Sequence, residues 1–245
     1  MKIRLKFSKH GVIKYIGHLD VMRYFQKLMR RAQIDIKYST GMSPHQIMSF
    51  AMPLGVGVES DGEYLDIEVE STDSSAASIN RMNAIMSEGI VITEYKQLPD
   101  HAKNAMSSVA AADYVVQILD EYAPDFDLKT ILTEFMAQKE LLVLKKTKKS
   151  EKEIDIKPYI YEMYLLDNDV SASADEEQVA HHIPAVFMKL SAGSEVNIKP
   201  NLVMEALFSF AGTELHKFGF HVTRKELYTL QQGAYVTLGS IGEDI

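Results

Sequence analysis

The sequence predicts an α+β protein made of tandem ferredoxin-like (βαββαβ) units with antiparallel sheets, each sheet backed by two helices. Three observations predict it. Residues 2–8 alternate Ile3, Leu5 and Phe7 with Lys2, Arg4 and Lys6, the period of two that marks a half-buried strand. A helix-period segment, extended segments, a second helix-period segment and a further strand then follow, which is the order of a split βαβ unit. Beyond residue 112 the same order of patterns starts again, although no sequence repeat accompanies it.

The first helix is expected over about His18 to Gln33. Leu19, Met22, Phe25, Met29 and Ala32 recur at steps of three and four and form the face predicted to point inward. Arg23, Lys27, Arg30 and Arg31 fall on another face and form a cationic ridge, which reads either as a phosphate-contacting surface or as an ordinary solvated helix face. Residues 34–39 are expected as a short second strand running to Thr40 and Gly41, followed by a loop with Pro44 and His45. Residues 46–52 and 56–59 read as extended chain around Pro53 and Gly55, and Tyr64 to Glu70 alternate cleanly as a strand. A helix over residues 74–87 closes at Gly89, before a strand over residues 90–95.

Residues 99–112 are small and polar without strong periodicity, so they read as a linker or a weak covering helix. This places one domain at 1–98 and a second at 113–245. In the second, strands are expected at 114–119, 141–144, 154–161 continuing to 166, 186–190 and 226–230. Helices are expected at 128–137 and 202–210, the latter opened by Pro200 and closed by Gly212. Residues 167–184 are polar and acidic and read as a mobile loop, and the tail from Gln231, with three glycines, as loosely packed.

The composition, 46% hydrophobic and 24% charged over 245 residues, is that of an ordinary globular protein. No apolar run approaches the roughly 20 residues of a membrane-spanning helix, and the N-terminus alternates charge with hydrophobe instead of offering a signal peptide's apolar core. A cytoplasmic protein without membrane contact is expected. The absence of cysteine excludes disulfides, thiolate nucleophiles and any iron–sulfur cluster or zinc site built from this chain's own thiolates. The net charge of −8 hides an asymmetry: residues 1–41 hold ten Lys or Arg against Asp20 and Asp35, a local +8. Any polyanion site should therefore be local.

Several constellations carry possible chemistry. His18, His45 and Arg23 are a nearby trio of the types a metal-free ribonuclease needs: a general acid, a general base, and a cation for the charge that develops on phosphate. Loop histidines equally serve as caps or hydrogen-bonding groups. With Gly17 as N-cap, Asp20 occupies the third helical position, where a carboxylate reaches back to unpaired amides, so a structural role competes with a functional one. Lys145, Lys146, Lys148 and Lys149, with Lys152, form a second basic cluster, read as a lysine-rich hairpin tip or as a phosphate-contacting ribbon. His181 and His182 are adjacent, so their side chains point apart, and no metal site is predicted. No dinucleotide, P-loop, nucleophile-elbow or zinc-protease signature occurs.

These residues resemble a family. Gly11, His18-Leu19-Asp20, Arg23, Arg30-Arg31-Ala32, Tyr38-Ser39, Gly41, Pro44-His45, Pro53-Leu54-Gly55, Ser60, Glu63-Tyr64 and Asp66 are similar to the N-terminal pattern of the radical-SAM-linked bacterial proteins, a domain found alone or fused behind a radical SAM enzyme. The chain resembles the stand-alone form. Residues 152–160 and Lys199-Pro200 extend the match over most of the chain, while Gly17 replaces the usual Ser before His-Leu-Asp and GMSPHQ replaces the usual GFNPHP. The resemblance implies work beside a radical SAM enzyme in RNA modification or ribosome maturation. Iron–sulfur cluster and S-adenosylmethionine are then expected in the partner and not in this chain. It further implies a partner surface at Asp20, Gly41, Pro44, Pro53 and Gly55. At the level of fold, the chain is also similar to the RAMP proteins that process CRISPR repeat RNA. Three functions follow as expectations: an accessory RNA-binding protein presenting RNA or ribosomal substrate to a radical SAM enzyme, an interaction subunit of that enzyme without RNA contact, and a metal-free RAMP-like endoribonuclease.

Overall fold

The computed structural model describes residues 1–146, 151–166 and 184–245. It divides into two compact units, the first made of Met1–Ala112, Ala192–Glu195 and Thr223–Ile245, the second of Asp113–Ser191 and Val196–Val222. The second unit begins at Asp113, and the chain from Thr223 is grouped with the first. Together the elements make a mixed α/β protein whose strand pairs are mostly antiparallel.

In the first unit β1 (Lys2–Lys9) pairs with both β3 (Glu59–Glu68) and β4 (Ile90–Gln97), and β2 (Met48–Phe50) lies on the far side of β3. All three pairings are antiparallel, giving the order β4-β1-β3-β2. The inward parity set by Ile3, Leu5 and Phe7 meets Leu65 and Ile67 from β3 and Ile92 from β4. Helices α1 (His18–Arg31) and α2 (Ser75–Asn83) cover this face with Val21, Phe25, Leu28, Met29 and Met82. Burial of such a continuous apolar layer is the main stabilising term of the unit.

On the opposite parity of β1, Arg4 and Lys6 are both paired. Arg4 grips Asp66, its cross-strand partner, through two nitrogens at 2.7 and 2.9 Å and donates to the Leu238 carbonyl at 3.1 Å. Lys6 bonds Glu226 of β10 (Phe220–Gln231) at 2.6 Å, and the Tyr64 hydroxyl donates to the same carboxylate at 2.7 Å. Burial, reinforced by that carboxylate, pushes the Tyr64 phenol far up. β10 runs parallel to β3 at Thr223 and Arg224 and pairs with β11 (Ala234–Thr237).

Several expectations need correction here. Residues 34–39 make only isolated bridges, Ile36 to Val69 and Tyr38 to Gln46, and the strand beside β3 is Met48–Phe50. Of the two readings of residues 99–112, the helix is met by the short α3 (Ala105–Ser108), while the last of these residues open β5 (Val109–Ile118), which neither reading included. The glycine-bearing tail packs closely: Leu238 is fully buried, and a Cβ on Gly239 would lie 2.5 Å from a Glu94 oxygen.

In the second unit the strands run β5-β9-β8, with β8 at Ile160–Leu166 and β9 at Ala185–Ser191, alongside helices α4 (Leu128–Ala137) and α5 (Pro200–Phe210). β6 (Leu142–Lys146) and β7 (Glu151–Asp155) pair antiparallel in a separate two-stranded sheet. α4 opens on Asp127, whose side chain accepts from the Lys129 amide, and α5 opens with Pro200 in its first turn. Among the described residues no helix is long and apolar enough to cross a membrane. The acidic stretch 167–183, the pair His181–His182, the whole of Lys148 and Lys149, and the side chains of Lys145 and Lys146 lie outside what the structure describes.

Candidate nucleic-acid interface

α1 is set by its apolar period, with Val21, Phe25, Leu28 and Met29 buried along one face. Leu19, expected on that face, is exposed; Val21 and Leu28 take the inward positions instead. The helix begins at Gly17, which provides no side-chain cap. Asp20 does not reach back to the amides as expected: its carboxylate meets Arg23 at 3.3 Å, one turn on and exposed. The far end closes with Gln33 in the left-handed region at φ 53°, Ile34 N–H donating to the Met29 carbonyl at 2.9 Å and Gln33 N–H to Arg30 at 3.2 Å.

Arg23, Lys27, Arg30 and Arg31 are all exposed. No carboxylate among the described residues lies within pairing distance of Lys27, Arg30 or Arg31. Neighbouring cations of residues 1–41 differ in this respect. Arg4 pairs with Asp66, Lys6 with Glu226, Lys14 with Glu59, and Lys37 approaches Glu68 at 3.8 Å.

The loop after Ile36 is tied to this helix. Tyr38 bridges to Gln46, and Ser39 N–H donates to the His45 carbonyl at 2.8 Å, closing a loop whose tip includes Gly41 at φ +118°. A side chain at Gly41 would be strained there whatever the space. His45 Nδ1 lies 2.8 Å from the Ser39 hydroxyl, which also accepts from the His45 amide at 3.1 Å. Gln46 is buried and fixes the loop to α1: its Nε2 donates to the Gln26 carbonyl at 3.2 Å and lies 3.4 Å from the Tyr38 hydroxyl. Pro44 is exposed at the loop, as are Pro53 and Gly55 on the later loop, whose Gly57 N–H bonds the Lys14 carbonyl at 2.9 Å.

His18 occupies a different environment from His45 and Arg23. Its ring meets Phe50 edge-on at 5.2 Å and lines a cavity of about 10 Å³, room for about one water molecule, with Phe7, Lys9, Val21, Met52, Leu54 and Glu63. Neither His45 nor Arg23 lines that cavity. Sequence reasoning missed Lys9, Glu63 and Arg224. Lys9 is 2% exposed and donates to the carbonyls of Ile16 and Lys14 at 3.2 and 3.4 Å. Burial pushes its ammonium down, with nearby Glu63 opposing. Glu63 is held by Arg224 through two bonds at 2.7 and 2.6 Å. The signal was present: Lys9 follows Ile3, Leu5 and Phe7 on the inward parity of its strand, and Glu63 precedes Leu65 and Ile67 on the same parity.

Two larger clefts, of about 280 Å³ beside Met48, Glu68 and Asn104 and about 590 Å³ beside Phe135, Leu142 and Phe210, are lined by none of the expected site residues that the structure describes.

Fold and surface together define a mixed α/β protein with a mostly antiparallel sheet and a helix that presents to solvent cations, Lys27, Arg30 and Arg31, without a carboxylate partner among the described residues. The chain belongs to the family described as "Uncharacterized protein conserved in bacteria (DUF2344)", which matches residues 2–200. No curated protein matches the sequence. Among solved structures it is similar, at 10% identity and a TM-score of 0.48, to a chain in a crystal structure of a Cbf5-Nop10-Gar1 complex, over 92% of this chain and 48% of that one. It is also similar, at 10% identity and a TM-score of 0.41, to a chain in a structure of an H/ACA RNP bound to a substrate RNA containing 2'-deoxyuridine, over 98% of this chain and 49% of that one. The present chain therefore spans about half the length of each.

Proposed function

We propose that this protein is an accessory RNA-binding protein that presents RNA or a ribosomal substrate to a separate radical SAM enzyme. The observation that carries the RNA part is the set of exposed cations on α1, of which Lys27, Arg30 and Arg31 have no carboxylate partner among the described residues. Cations left in this state on a rigid helix neutralise phosphate without first breaking an internal pair. The division of labour is supported by the lack of cysteine, since the cluster of a radical SAM enzyme needs thiolates that this chain does not supply. The radical SAM partner rests on the resemblance of the HLD, PH and PLG segments. We read the fold behind this function as two βαββαβ units in tandem, the second having α4 after β5 and α5 after β9 with the β6–β7 hairpin inserted.

Purification at low salt tests the reading. The chain should retain cellular RNA, and Lys27→Gln/Arg30→Gln should lose most of it while keeping its fold by circular dichroism. A radical SAM enzyme co-expressed with the chain should co-purify. Failure of the wild-type chain to retain RNA, together with a complex that survives nuclease and high salt, would point instead to an interaction subunit that touches no RNA.

A further inference from the structure

We infer that the RNA taken by this interface is unpaired, and that Tyr38 is the side chain on which one of its bases stacks. The inference rests on the RNA-binding reading of α1 and goes beyond it, because a row of cations holds phosphates without distinguishing a single strand from a duplex. Tyr38 is 46% exposed, although Ile36, two residues before it on the same parity, is buried. An aromatic ring in that state is held by its surroundings and yet leaves a face to solvent.

Both ends of Tyr38 are fixed beside the cations. Its backbone bridges to Gln46, and its hydroxyl lies 3.4 Å from Gln46 Nε2, the nitrogen that donates to Gln26 on α1. Gln26 stands between Arg23 and Lys27 in the helix, one turn before Arg30. From the helical rise, Arg23 to Lys27 advances about 6 Å and Lys27 to Arg30 about 4.5 Å along the axis, a span suited to about two or three phosphates. A strand laid along the cations therefore passes an anchored aromatic face. Stacking on an aromatic side chain tolerates any base, so the selection is for unpaired bases and not for sequence.

Fluorescence anisotropy of the chain with a labelled mixed-sequence RNA oligonucleotide, single-stranded and annealed to its complement, tests this. The wild type should prefer the single strand. Tyr38→Ala should lose about 5- to 150-fold on the single strand and little on the duplex, with an unchanged dependence on salt. Tyr38→Phe keeps the ring and should bind within about 2-fold of wild type, which separates stacking from loss of fold. Wild-type affinity in Tyr38→Ala, or equal losses on single strand and duplex, would overturn the inference. The Lys27→Gln/Arg30→Gln variant is read alongside: if it weakens both RNAs while Tyr38→Ala weakens neither, the RNA-binding reading stands and only the unpaired-base inference fails. If that variant leaves binding untouched, the ridge reading itself fails.

Discussion

Arg224 and Glu63 lie 161 residues apart in sequence and are each nearly closed to solvent, joined by two charge-assisted bonds. Arg224 also donates to the Met52 carbonyl at 3.1 Å, so one guanidinium ties β10, β3 and the loop after β2. Desolvation makes the pair a poor net source of stability but a costly one to break singly. Arg224→Met alone should therefore destabilise the protein by about 3–5 kcal/mol, whereas Arg224→Met with Glu63→Leu should cost clearly less. Urea denaturation measures both, and a double variant as unstable as the sum of the singles would contradict the account. Lys9 belongs to the same neighbourhood and shows why this region escaped sequence reading. A charged residue at an inward strand position can be recognised from parity, but the partner that makes it tolerable is supplied from distant segments, here the carbonyls of Lys14 and Ile16 and the carboxylate of Glu63.

At the scale of elements, α1 was legible because its two faces differ in chemistry at the helical period, and its extent agrees within two residues. Its end was not, because the closing residue is Gln33 and not glycine. The paired bonds from Ile34 and Gln33, with Met29 and Ile34 both buried, form the helix-closing motif in which glycine is usual. Gln33→Gly should accordingly stabilise the protein by about 0.5–1 kcal/mol, read as a raised midpoint in urea, and a lowered midpoint would count against this account of the helix end. Two other elements were misread for physical reasons. The run Val109 to Ala112 looks like linker because its side chains are small, yet Ala111 and Ala112 are fully buried in a strand. The alternation at Ile34, Ile36 and Tyr38 is real, and Ile34 and Ile36 are buried, but the hydrogen-bonding positions on β3 go mainly to Met48–Phe50. Alternation reports which face is covered and not which segment wins the ladder.

At the scale of the whole molecule, the +8 of residues 1–41 in a chain of net −8 drew attention to the N-terminal segment without showing which charges remain available. That depends on partners remote in sequence. Carboxylates at Asp66, Glu226 and Glu59 engage Arg4, Lys6 and Lys14, and what is left for a polyanion is concentrated on α1. The central claim is that these helix cations bind RNA phosphate, and the dependence of affinity on salt tests it most directly. Two or three phosphates on a single strand predict a slope of log affinity against log salt of about −1.4 to −2.1, and Lys27→Gln/Arg30→Gln should make that slope shallower by about 1 or more. A slope that is the same in the variant as in the wild type, or no measurable affinity for single-stranded RNA at low salt, would contradict it.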